Sequence, residues 1–197
     1  MEIIRHRVNT IAELDAVDPA HGVEIDIRSN GRRLVLAHDP FVDGESLDDY
    51  LGRYAALGRR GLVIFNPKED GLETEILSRA RQAGLARFFL LDLALPTLVR
   101  LAAAGRERAV AVRVSEYEPA EAARRFAGLA EWVWLDCFSG EPASPATVRE
   151  LGRSFHICLV SPELQGYPPA AIARFLPLRD EVEAVCTKHP ARWGTDG

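Results

Sequence analysis

Positive charge is in short supply here: 24 Lys and Arg face 29 Asp and Glu, a formal net charge of −5. No basic block stands out, so nothing supports a nucleic-acid-binding surface. Long apolar runs are also missing. None approaches the roughly 20 residues that span a bilayer, which argues against a transmembrane helix. The opening MEIIRHRVNT lacks the charged n-region and apolar h-region of a signal peptide, so a cytoplasmic protein is expected. Cysteine is scarce: Cys137, Cys158 and Cys186 show no C-x-x-C spacing, and neither a zinc site nor a redox pair is indicated. Each falls near the end of an apolar run and reads as a buried free thiol. Internal repeats, linkers and low-complexity tracts are absent.

What is present has the composition of an ordinary soluble protein, 47% hydrophobic and 27% charged over 197 residues. That length is most simply one domain, residues 1–197, with a substantial core. Eight short apolar runs recur, at 2–6, 22–28, 61–68, 87–93, 109–115, 132–137, 155–163 and 182–188. Most are apolar on both faces, as parallel strands covered on both sides should be. Helical patterns lie between them: NTIAELDAVD, SLDDYLGRYAAL, GLETEILSRARQAG, LPTLVRLAAAG, PAEAARRFAG, SPATVRELGR and PPAAIARFL. Ser46 is placed to cap the second, in which Leu47, Tyr50, Leu51 and Tyr54 recur at helical spacing. This alternation implies an α/β protein. Eight strands favour a compact (β/α)8 TIM barrel over an open doubly wound sheet. The tail HPARWGTDG is too short for a normal eighth helix, so a truncated final helix is expected.

Polarity collects at the C-terminal ends of these runs. His6 ends the first, Glu24, Asp26 and Arg28 the second, Asn66 and Lys68 the third, and Asp92 the fourth. Arg113, Ser115 and Glu116 end the fifth, Asp136 the sixth, Ser161 and Glu163 the seventh, Thr187 and Lys188 the eighth. In a barrel these positions converge on the mouth where active sites sit. The alternation in GVEIDIR puts Val23, Ile25 and Ile27 on one face and Glu24, Asp26 and Arg28 on the other. A lone antiparallel strand would leave the charged face wet. Strands buried on both faces would instead enclose two carboxylates, which is costly unless a metal or basic side chain lies beside them. His6, His38, Lys68 and Arg113 each have an ordinary alternative: a packed or turn-ordering histidine, a solvated loop lysine, a salt bridge to Glu116 or Glu118. His21, His156 and His189 read as surface or core residues, and Trp193 as packing or a border of the mouth.

His6-Arg7, then Glu24-x-Asp26, then His38-Asp39, then Lys68 closing the third strand make the sequence resemble the glycerophosphodiester phosphodiesterases. That family pairs His-Arg after strand one with E-x-D on strand two and His-Asp after a short hairpin. Thr187-Lys188-His189-Pro190 is similar to its strand-eight motif. The likeness is dense over residues 1–70 and weak afterwards, as in a divergent bacterial branch. It implies His6 and His38 as a general acid–base pair and Arg7 and Lys68 as phosphate contacts. It implies Glu24 and Asp26 as ligands of a divalent cation, with Asn66 where an acidic ligand is expected. Val8 replaces the glycine after His-Arg, and Asn9-Thr10 is what remains of a Glu-Asn-Thr motif. Oxygen ligands favour Mg2+ or Ca2+. Arg113 is expected to join the anion pocket, because a chain of negative charge needs local cations to hold a phosphodiester. The function expected is metal-dependent hydrolysis of a small glycerophosphodiester-like molecule. Two alternatives stand beside it: a degenerate barrel that binds a phosphorylated ligand, and a sugar-phosphate lyase or isomerase using Lys68 or Lys188.

Overall fold

Alternating strands and helices begin at once with β1 (Glu2–Arg5) in the computed structural model, which describes residues 1–194. The fold is mixed α/β, and the chain resolves into two compact units, residues 5–94 and residues 1–4 with 95 onward.

In the first unit α1 (Ile11–Ala16) starts at a capping box, where the Thr10 side chain accepts from Glu13 N–H and Glu13 reaches back to the Thr10 backbone. β2 (Gly22–Asn30) is longer than its apolar run, because the turn at 31–32 folds it onto β3 (Arg33–Leu36) as an antiparallel hairpin. β4 (Glu45–Ser46) pairs with β3 and leads into α2 (Leu47–Ala56). Its Leu47, Tyr50, Leu51 and Tyr54 are the buried stripe expected from their spacing. β5 (Val63–Pro67) runs parallel to β2, followed by α3 (Glu73–Gln82) and β6 (Phe88–Leu90). Strand order in this unit is β4-β3-β2-β5-β6. The register sets Asp26 opposite Asn66, so side chains of β2 and β5 meet at the strands' C-terminal ends.

The second unit continues with α4 (Leu95–Val99), which passes into a π-helical turn over Arg100–Ala104. β7 (Ala111–Val114), α5 (Ala120–Arg124), β8 (Trp132–Leu135), α6 (Pro145–Leu151), β9 (His156–Val160) and β10 (Ala184–Thr187) follow. Strand order is β1-β10-β9-β8-β7, with the ladders from β7 to β10 parallel. PPAAIARFL forms no α-helix. Successive 3-10 turns, Pro169–Arg174 and Leu176–Glu181, replace it, since Pro168, Pro169 and Pro177 withhold backbone donors. After β10 the described residues form the 3-10 turn Pro190–Arg192.

A ring of eight parallel strands is not what the pairing shows. Among the described residues β6 pairs β5 alone and β7 pairs β8 alone. β6 is three residues long, against the seven of its apolar run, and offers few backbone groups beyond those that β5 uses. The three cysteines are buried, as expected, and none forms a disulfide among the described residues. No described helix is long and apolar enough to cross a membrane.

Candidate active site

The strand ends of the first unit gather most of the predicted site residues. Glu24 and Asp26 are 1% and 0% exposed, so the charged face of β2 is not wet. Each carboxylate is met by groups from residues 6–9 or from the end of β5 and the residue after it. Lys68 Nζ lies 2.8 Å from Asp26 Oδ1, and Arg7 Nε 3.7 Å from Oδ2. Arg7 backbone N–H donates to Glu24 Oε2 at 2.8 Å, and Asn66 Nδ2 donates to Oε1 at 3.1 Å. His6 Nε2 stands 3.8 Å from Glu24 Oε2.

Local backbone geometry makes this convergence possible. Arg7 is left-handed, φ 53°, an uncommon conformation for a residue with a side chain. The sharp turn out of β1 aims its N–H at Glu24, while Val8 N–H donates to the Glu24 carbonyl at 2.9 Å. Lys68 is fixed at the end of β5 by its N–H on the Ile27 carbonyl, 2.9 Å. His38 follows β3, and the loop after it folds back so tightly at Gly44 that an added Cβ would collide with the Leu36 carbonyl.

His38 is tied in from both ring nitrogens. Arg7 Nη2 donates to His38 Nε2 at 2.6 Å, and His38 Nδ1 lies 2.7 Å from Asp39 Oδ1. His6, Glu24, Arg7 and His38 thus form a linked chain of contacts. Open clefts border it: about 450 Å3 beside His38, lined by Asn9, Thr10, Leu36 and Val42 among others, and about 460 Å3 beside Lys68 and Asp92.

Burial, and then the neighbouring Asp26 carboxylate, push the Glu24 carboxyl up to about 7. Donors from Arg7 and Asn66 and the charge of Lys68 oppose this without cancelling it. Asp39 is held below the usual carboxylate range, first by its hydrogen bond to His38.

Among the described residues no group of three or more His, Cys, Asp and Glu side chains is arranged to hold a metal. A third donor beside Glu24 and Asp26 would have to be an amide. Asn66 Oδ1 fits that need, being buried with no hydrogen-bond partner. The donor set Glu24, Asp26 and Asn66 therefore suits a hard, oxygen-preferring dication.

Arg113 belongs to the second unit, where its guanidinium bonds Asp136, lies 3.9 Å from Glu118 and stacks over Phe138. Of its structural alternatives, the Glu118 contact is realised, but the main partner is Asp136 at the end of the next strand. Sequence reasoning gave Asn9 no role. Its amide donates to Asp26 Oδ2 at 2.9 Å and accepts from the Asp26 backbone N–H at 2.8 Å, one bond to the carboxylate and one to the main chain of the same residue. The available signal was its place in Asn9-Thr10, the remnant of the Glu-Asn-Thr motif.

No protein-family model matches the chain, and no curated protein does. Solved structures do. A phosphodiesterase from Oleispira antarctica, in complex with the product sn-glycerol-3-phosphate, is similar at TM-score 0.70 and 18% identity, covering 98% of this chain and 95% of that one. A glycerophosphoryl diester phosphodiesterase from Parabacteroides distasonis is similar at TM-score 0.66 and 12% identity, covering 98% and 84%. A variant tryptophan synthase alpha-subunit from Pyrococcus furiosus follows at TM-score 0.59 and 15% identity, covering 94% and 86%. The chain therefore has the fold of two phosphodiesterases. The same fold serves a synthase subunit, so chemistry must be argued from the site.

Proposed function

We propose that this protein is a divergent phosphodiesterase of the glycerophosphodiester type, a single (β/α)8-like domain that hydrolyses a small phosphodiester. One observation carries the reading. Two histidines, Arg7 and Lys68 are linked around a pair of buried carboxylates at adjoining strand ends. The fold shared with two phosphodiesterases supports it.

In this reading Arg7 and Lys68 take the non-bridging oxygens, whose negative charge grows in the transition state. One histidine accepts the proton of the attacking hydroxyl as its oxygen bonds to phosphorus. The other donates a proton to the departing alcohol as the second phosphorus–oxygen bond breaks. Glu24, Asp26 and Asn66 would hold Mg2+ or Ca2+, which when bound offsets phosphate charge. The Lys68 ammonium, paired with Asp26, suits an anion clamp better than an amine nucleophile, which disfavours the lyase reading.

The test is a panel of phosphodiesters, glycerophosphodiesters included, assayed with Mg2+, Ca2+ and Mn2+ beside a His6→Ala control. Metal-stimulated release of a phosphomonoester, lost in the control, is expected. Binding of diesters without turnover under every metal would replace the enzyme reading with a ligand-binding one.

A further inference from the structure

We propose that Arg7 is shared between His38 and the substrate phosphate, so that anion binding itself unmasks His38 as a proton acceptor. This rests on the phosphodiesterase reading above.

A guanidinium has donors only. With Arg7 Nη2 at 2.6 Å, His38 Nε2 must be the acceptor, its ring lone pair already engaged. The other nitrogen must then carry the ring hydrogen and donate it to Asp39 Oδ1, 2.7 Å away. Two neighbours thus set one neutral tautomer. In that state His38 cannot take a proton from an attacking hydroxyl. Its only lone pair is capped by Arg7, and Nδ1 already bears hydrogen.

The charged groups at the ring are Arg7 and Asp39, and Arg28 lies beside them with its Nε donating to the His38 backbone carbonyl at 3.1 Å. Of these, Arg7 is built to change partners. Its backbone is pinned by the Glu24 hydrogen bond, yet its side chain is 40% exposed and only 3.7 Å from Asp26 at Nε. A phosphate offers a guanidinium two charged acceptors in its own fork geometry, a stronger partner than one neutral imidazole nitrogen. Transfer of Nη2 to phosphate leaves Nε2 open, next to the phosphorus where the proton must be collected. Arg7 is therefore a phosphate contact in the loaded site and a positioning residue for His38 in the resting one. Asp39 holds the tautomer in both.

The experiment is long-range 1H–15N spectroscopy of the histidine rings in the full chain, titrated with inorganic phosphate at about pH 8, where the anion is mostly dianionic. The free protein should show His38 protonated at Nδ1 with a hydrogen-bonded acceptor Nε2. Phosphate should move the Nε2 resonance. Arg7→Met should start with Nε2 already shifted and show no further phosphate response, and Arg7→Lys should restore part of it. An Nε2–H tautomer in the free protein, a failure of phosphate to bind, or binding that leaves Nε2 unmoved would each overturn the proposal. The wild-type titration decides even if a variant misfolds. Failure of the phosphodiesterase reading would appear separately, as absence of diester turnover alongside an intact ring response.

Discussion

Two clusters begin alike, with buried carboxylate at the C-terminal end of a parallel strand, and end differently. Asp136, after β8, receives Arg113, the Gln165 amide at 2.7 Å and Cys137 N–H at 3.0 Å. One carboxylate there has a cation and two neutral donors. At the end of β2, two carboxylates share their surroundings, one of them pushed up to about 7, and Asn66 Oδ1 accepts nothing. In the first arrangement the carboxylate is met by donors from the neighbouring strand and loops. The second keeps unused acceptor capacity beside one exposed and one half-buried cation, the condition in which a ligand can complete the site. Polarity at a strand end is common to both. Satisfaction separates them.

The largest effect should come from the histidines. His38→Ala or His6→Ala should each lower diester turnover by roughly 10²–10⁴-fold with the fold intact, the double variant being little worse than the worse single one. Near-normal turnover in folded His38→Ala would remove it from the chemistry.

The Asp136 cluster should respond in stability instead. Arg113→Ala strands a buried carboxylate, and a loss of about 3 kcal/mol is expected, at the low end for a broken buried pair because Arg113 is partly exposed. Denaturant titration gives the loss. Turnover per folded molecule should hold, and a selective rise in KM would return Arg113 to the anion pocket.

Glu24 should make the metal-free protein lose stability as pH rises. Its folded carboxyl titrates near 7 and its ordinary value is 4.5. Between those values the unfolded chain has released the proton while the folded chain retains it, so the slope of stability with pH is negative. This contribution is complete below the ordinary value and gone above 7. Urea unfolding of wild type and Glu24→Gln across that window isolates it, and parallel profiles for the two proteins would contradict the burial argument.

The smallest effect concerns Asn66. Asn66→Asp adds the charge that an amide ligand withholds, and should tighten Mg2+ or Ca2+ binding by about tenfold in the free protein. Glu24→Gln and Asp26→Asn should abolish it. Calorimetry that finds the Asn66→Asp affinity unchanged would leave Asn66 as the hydrogen-bond partner of Glu24 alone.

Much of this was legible along the chain, because the signals are local. Strand and helix periodicity, the stripe on α2 and the burial of three cysteines follow from side-chain spacing and hydrophobicity. The His-Arg, Glu-x-Asp and His-Asp pairs carried the candidate site because each sits at a strand end. Other features were set by contacts distant in sequence. The extension of β2 depends on its pairing with β3, and the brevity of β6 on what it can bond. Arg113 meets Asp136, 23 residues away. Asn9 found Asp26 and Arg7 found His38 only once the segment 7–9 was folded against β2 and the end of β3. Residue type and period determined which elements form and which charges stand at their ends. Which charge meets which, and therefore which remains available to a ligand, was decided by tertiary structure, because hydrogen bonds and ion pairs act over a few ångströms of space whatever the separation along the chain.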